Sequence, residues 1–170
     1  MSELTLQAQT HSVEGEGERE GLDLATLTIY DVPALAALSL AAYCQPQIAE
    51  NLWDATDEMR LYFDGAFGTP RDDSFVGAWV DGELVGAAFL VLDPPFEGVP
   101  RGPFILDLMV DNKWQRQGVA TALVSELARR VSSWGYDSLA LRLDGAQMPA
   151  ALELYQGLGF EEVRDVPDED

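Results

Sequence analysis

An α/β chain built on a mixed sheet, α+β in its strand pairing, is predicted by three observations. Phe104–Val110, FILDLMV, is an apolar run broken by one acid, Asp107, and bounded by Pro100-Arg101-Gly102-Pro103, which reads as a buried strand. From Val119 the apolar positions take helical spacing, with Ala120, Leu123, Val124, Leu127, Val131 and Trp134 on one face and Gly135 placed to end the helix. Residues 138–143 alternate Leu139, Leu141 and Leu143 against Ala140 and Arg142, a strand that a right-handed helical crossover sets parallel to the first. An antiparallel part comes from residues 74–80 and 83–91, two β-rich runs joined by Asp81-Gly82, a two-residue hairpin signal that supplies positive φ.

The other elements follow in order. Residues 4–13 alternate well enough for a strand, while 14–20, EGEGERE, contain no apolar side chain and are expected to be solvated. Residues 22–27 read as the first strand of the core, after which Asp31-Val32-Pro33 caps and starts a helix to Tyr43. Pro46 breaks the pattern across 44–51, and 52–63 resumes it with Asp54, Asp57 and Glu58 on a polar face. Residues 93–103 are too rich in Pro and Gly for regular structure. Pro149 suits the first turn of a helix over 150–157, Gly159 releases 160–163 as a last strand, and the acidic end RDVPDED is expected to fray. The organisation expected is an N-terminal extension over 1–21, one domain over 22–165 and an acidic tail over 166–170.

With 170 residues, 47% hydrophobic and 24% charged, the chain has the bulk of one globular domain with a sizeable core. A net charge of −20 argues against nucleic acid or an anionic membrane surface as partner and favours cationic ones, although the acid also serves plain solubility. A single cysteine, Cys44, excludes an internal disulfide. The start MSELTLQAQT lacks signal-peptide character and no apolar run reaches the length of a membrane span, so a cytoplasmic protein is expected. His11, the sole histidine, has no His or Cys companion beyond Cys44, so no metal site is expected and no His-based nucleophile either.

The chemistry is expected in the turn between the first predicted strand and its helix. Gln115-Arg116-Gln117-Gly118-Val119-Ala120 puts a glycine and small residues at a helix start, where the first N–H groups have no partner inside the helix and can hold a phosphate. A strand entering a helix with no ligand would show the same six residues. A generic phosphate- or nucleotide-binding α/β protein is a third, disfavoured reading, since the longer Walker loop and its lysine are lacking.

Val110-Asp111-x-x-Trp114-Gln115-x-x-Gly118-x-Ala120, followed by Ala151-x-x-Leu154-Tyr155-x-x-x-Gly159-Phe160, resembles the GCN5-related N-acetyltransferase family. The first half is similar to its acetyl-coenzyme A pyrophosphate loop and the second to its A-x-x-L-Y-x-x-x-G-F helix and strand. The resemblance implies a mixed sheet flanked by helices, whose two central parallel strands splay apart so that main-chain groups pair with the pantetheine arm. Met109 and Val110 would supply those bonds, and the pyrophosphate would sit on the N–H groups of Gln117, Gly118, Val119, Ala120 and Thr121, with side-chain contacts from Gln115 and Arg116. The cosubstrate implied is acetyl-CoA, the acceptor a primary amine of a small molecule or peptide, and no metal takes part.

Tyr155 matches the family tyrosine that donates to the departing thiolate, which an ordinary phenol of pKa about 10 can do; without the flanking Leu154 and Gly159-Phe160 it reads rather as a core aromatic on an amphipathic helix. Asp107, costly to bury without a partner, is expected to face a water-bearing cleft as base or amine-orienting carboxylate. By resemblance Gln45, Gln47, Glu50, Asn51 and Trp53 would line the acceptor entrance. Two departures stand out. Met148 occupies the place of a common asparagine, with Gln147 as a substitute, and the family's final strand, which inserts between its fifth and sixth, has no counterpart after Gly159-Phe160. Residues 4–13 are expected to complete the sheet, within the chain or by exchange in a two-fold dimer. A noncatalytic acyl-CoA-binding or regulatory module on the same fold is the alternative function.

Overall fold

The computed structural model describes residues 3–13, 21–68, 70–71, 73–96, 98–144 and 148–163. In chain order these form β1 (Glu3–Gln9), a helical turn α1 (Thr10–Val13), β2 (Asp23–Thr26), α2 (Val32–Ala42), α3 (Ala49–Phe63), β3 (Phe75–Val80), β4 (Glu83–Val91), β5 (Phe104–Val110), α4 (Val119–Ser133), β6 (Ser138–Asp144), α5 (Pro149–Gly157) and β7 (Glu161–Val163). EGEGERE, Gln147 and the acidic end lie outside the described residues. Among the described residues, no helix is long and apolar enough to cross a membrane.

Seven strands form one sheet in the order β2-β3-β4-β5-β6-β1-β7. Every neighbouring pair is antiparallel except β5 and β6. The sheet is therefore mixed and flanked by helices, the expected class. Its β3–β4 hairpin turns at Asp81 (φ 50°) and Gly82 (φ 81°), the positive-φ pair that a tight hairpin needs. β4 is buried along all but its first residue, because helices cover both faces of the centre. On one face α4 and α5 pack their apolar side chains, among them Leu123, Val124, Leu127 and Tyr155, over Val85, Ile105 and Leu141. On the other face α2 and α3 contribute Leu35, Leu38, Met59 and Tyr62 over Phe75, Phe89, Phe104 and Ala140.

Two irregularities position the site. Phe89 is opposite Asp107 but Leu90 is opposite Ile105, so Leu106 is an extra residue that bulges β5. β5 and β6 pair only at Phe104 with Ala140 and at Ile105 with Leu141, after which the two parallel strands part.

The strand expected over 4–13 ends at Gln9. Thr10 donates its N–H to the Asp137 carbonyl at 2.8 Å, and the chain turns into α1 there. β1 runs between β6 and β7, antiparallel to both, with Leu6 and Ala8 buried toward α4 and α5. This is the position that the resemblance assigns to the family's final strand, filled here by the strand that precedes all others. α3 starts at Ala49, three residues before the apolar pattern does.

Candidate functional site

Where β5 and β6 part, a cleft of ≈ 790 Å³ opens, walled by the far halves of both strands, the start of α4, one side of α5 and Tyr43 at the end of α2. The loop before α4 is held from within. Asp111, buried, donates its N–H to the Val85 carbonyl at 2.8 Å and accepts from the Lys113 N–H at 2.9 Å. Gln117 Nε2 donates to the Lys113 carbonyl at 3.0 Å, and Gln115 Nε2 reaches the Val110 carbonyl at 3.5 Å. Arg116 (φ 63°) and Gly118 (φ 86°) take left-handed backbone, a conformation that is free for glycine and strained for arginine.

Gly118 caps α4 without any side-chain hydrogen bond, and the first helical bond there runs from Ala122 N–H to the Gly118 carbonyl at 3.0 Å. The N–H groups of Val119, Ala120 and Thr121 thus have no partner inside the helix and carry the positive end of a fifteen-residue dipole. They border the cleft together with Gln115, Arg116 and Gly118; the Gln117 side chain does not.

On β5 the main chain alternates. Because the Asp111 N–H points to β4, so does the main chain of Met109, whose carbonyl lies 3.3 Å from where a Cβ on Gly86 would stand. Met109 is buried and does not border the cleft. The main-chain groups of its neighbours Leu108 and Val110 face the gap instead, and both residues line it.

Asp107 stands two residues past the last β5–β6 pair. Its Oδ1 accepts the Leu108 N–H at 2.9 Å and its Oδ2 accepts the Tyr62 hydroxyl at 3.3 Å. Burial pushes its pKa above the usual carboxylate range, a shift that these two bonds oppose and the Glu58 carboxylate reinforces. Tyr62 is held by stacking on Phe89 at 4.3 Å and by Phe67 at 4.8 Å. Tyr43 has its pKa pushed up to about 12 by partial burial and by the carboxylates of Asp107 and Glu58.

Tyr155 is 8% exposed, its ring set edge-on to Phe160 at 5.5 Å, and it borders the cleft. Burial, then the charge of Asp107, raises its pKa, so the phenol stays protonated through the neutral range. Met148 caps α5 with no side-chain hydrogen bond and also lines the cleft. Gln45, Gln47, Glu50, Asn51 and Trp53 do not line it; Asn51 Nδ2 bonds the Pro46 carbonyl at 2.9 Å and Trp53 is 72% exposed.

Three residues not singled out from sequence complete the site: Tyr43, Tyr62 and Arg142. Tyr62 could have been found from its helical spacing with Ala55 and Met59, which puts a hydroxyl on the buried face of α3. Arg142 lies on the more polar face of β6, with Ser138 and Ala140, opposite the face of Leu139, Leu141 and Leu143.

The sequence pattern of the acetyltransferase (GNAT) family matches residues 39–160, which span the parting strands, the α4 start and Tyr155. The chain belongs to the GNAT family. No curated protein matches this GNAT chain in sequence. Solved structures share its fold. A Pyrococcus horikoshii OT3 protein is 19% identical over 86% of this chain and 92% of its own, with a TM-score of 0.69. The ribosomal-protein-S18-alanine N-acetyltransferase from Escherichia coli is 20% identical over 84% of this chain and 79% of its own, with a TM-score of 0.61. An aminoglycoside N-acetyltransferase in complex with CoA is 18% identical over 88% and 93%, with a TM-score of 0.59.

Proposed function

We propose that this GNAT chain is an acetyl-CoA-dependent N-acetyltransferase acting on a primary amine. The observation that carries the reading is one cleft that holds, at one end, a helix start with unpaired N–H donors and, at the parting of β5 and β6, a carboxylate and a buried phenol. The donors of Gly118 to Thr121 with Arg116 suit a pyrophosphate, and the gap-facing Leu108 carbonyl and Val110 N–H, the groups left by the Asp107 and Gln115 bonds, suit an amide-bearing arm laid along β5. Acetyl-CoA bound there would supply an activated acetyl thioester.

The protein's part is to orient the amine, take its proton and return one to the leaving sulfur. Asp107, fixed by Leu108 N–H and Tyr62, would hold the ammonium and accept a proton from it directly or through water. Attack of the neutral amine forms the C–N bond, the C–S bond breaks as the Tyr155 hydroxyl proton goes to the thiolate, and the second nitrogen proton passes through water to the Tyr155 phenolate, yielding the amide and free CoA thiol. The raised pKa of Tyr155 keeps that proton in place until it is needed, and the same desolvation raises the proton affinity of a thiolate in the cleft.

Calorimetry with acetyl-CoA, followed by a thiol-release screen over polyamines, aminoglycosides, amino acids and peptides, tests the reading. Binding with turnover supports it. Binding without turnover selects the noncatalytic acyl-CoA-binding module, which the uncapped α5 start at Met148 favours. No binding removes both.

A further inference from the structure

We propose that the acceptor is a linear polyamine, in its shortest form a diamine, with Asp107 holding the reacting amine and Glu58, then Asp54, holding the ammonium groups behind it. This deepens the acetyl-transfer reading above and rests on it. The geometry comes from α3. Tyr62, on the buried face of its last turn, donates to Asp107 Oδ2 at 3.3 Å, so the end of α3 lies against the reacting end of the cleft. Glu58 precedes Tyr62 by four residues and Asp54 precedes Glu58 by four, so the three side chains form one strip of the helix, stepped at about 6 Å. Both carboxylates are exposed, and the strip leads from solvent to Asp107.

The charge along this strip is one-sided. Glu58 acts on Asp107, Tyr62 and Tyr43 and pushes the pKa of all three up. The two hydrogen bonds that Asp107 accepts come from a main-chain N–H and a phenol, not from a cation. Among the described residues no Lys or Arg forms an ion pair with Glu58 or Asp54, whereas Asp57, Asp73, Asp93 and Glu126 each have one. A solvated helix face accounts for Asp54 taken alone. It does not account for a second carboxylate set beside Asp107, where each disfavours the charge of the other until a cation joins them. Tyr155 gives an independent sign of a ligand at the same place. It is 8% exposed and borders the cleft, and its hydroxyl, which feels the charge of Asp107, has no hydrogen-bond partner among the described residues. The group that this hydroxyl meets is therefore brought by a bound molecule.

Three or four methylenes between two nitrogens span about 5–6 Å at ordinary bond lengths. That is the step between Asp54 and Glu58, and Asp107 takes the next place through its bond with Tyr62. A polyamine can thus set one ammonium against each carboxylate of α3 while its terminal nitrogen reaches Asp107. Tyr43, which borders the cleft and feels both Asp107 and Glu58, offers a ring face to the ammonium between them. The net charge of −20 draws a polycation in from a distance.

Three amines of one length test this: putrescine, the amino alcohol that carries a hydroxyl in place of its second amine, and γ-aminobutyrate, each with acetyl-CoA in a thiol-release assay. The expected kcat/KM is at least about tenfold higher for putrescine than for the amino alcohol and lowest for γ-aminobutyrate, with the advantage shrinking as salt is raised. Glu58→Gln is expected to remove most of that ratio, and Glu58→Asp to restore part of it. Asp54→Asn is expected to lower kcat/KM for spermidine more than for putrescine, because only the longer chain reaches it. A parent protein that takes the amino alcohol as well as putrescine, or a Glu58→Gln variant with the parental ratio, overturns the inference while leaving acetyl transfer standing. So does thiol release with another acceptor of the wider screen and none with putrescine. Loss of acetyl-CoA binding in calorimetry, or thiol release with no acceptor at all, overturns acetyl transfer and this inference with it. The parental ratio decides the matter even if the variants fold poorly.

Discussion

Tyr155 and Asp107 divide the acid and base work by environment. Both have raised pKa values from burial, but the shift has opposite uses: it keeps the phenol protonated and makes the carboxylate a better proton acceptor. Tyr155→Phe removes the proton donor and keeps the ring that meets Phe160. A fall in kcat of roughly ten- to a thousandfold with little change in acetyl-CoA affinity is expected, measured by steady-state kinetics and calorimetry. An unchanged kcat would make Tyr155 a core aromatic only. For Asp107 the sign is set by its raised pKa. The working carboxylate is lost as pH falls through a value above the ordinary carboxylate range, so the acidic limb of kcat/KM lies above that range and is absent in Asp107→Asn. The same shift predicts that stability contributed by the protonated form is lost as pH rises through that pKa.

At the scale of elements, the placement of the α4 start depends on Gly86 in β4. A Cβ at this position would stand 2.7 Å from Val119 Cγ1 and 3.0 Å from Leu123 Cδ1, against the first turns of the helix whose N–H groups face the cleft. Gly86→Ala is therefore expected to cost about 1–3 kcal/mol, read as a lower melting temperature, because the helix must lift from the sheet. The lifted turn also moves its donors, so acetyl-CoA binding weakens in calorimetry. A variant with parental stability and parental affinity would show that the first turn of α4 is not held by this contact.

At the scale of the whole molecule, β1 closes a gap that β6 and β7 would otherwise leave. It pairs with β6 at seven positions and with β7 at three, and it buries Leu6 completely. Deleting residues 1–20 would expose two strand edges and the apolar face behind them, so a lower melting temperature or loss of soluble protein is expected. Leu6→Ala is a gentler test at about 2–5 kcal/mol. Parental melting temperatures in both would remove β1 from the sheet. Exchange of β1 between two copies would bury the same side chains, and light scattering of the full and truncated chains separates that arrangement from a strand kept within its own chain.

How much of this was legible follows from the range of the interactions involved. The mixed fold class, the Asp81-Gly82 hairpin, the strand–turn–helix at 104–133 and the family are written in local patterns: apolar period, turn residues and two motifs at fixed separation. They needed no knowledge of distant contacts. Strand ends were less legible, since Thr10 leaves β1 to bond Asp137, a partner 127 residues away. The main-chain direction at Met109 depended on the register with β4, which spacing within β5 does not encode. Tyr43 and Arg142 reached the cleft, and Tyr62 reached the Asp107 carboxylate, only because α2, α3 and β1 pack around the place where β5 and β6 part. The acid Asp107 could be named from its apolar strand, but its hydrogen bond from Tyr62 and the Glu58 charge that reaches it were decided by tertiary packing, because both arise between elements far apart in the chain.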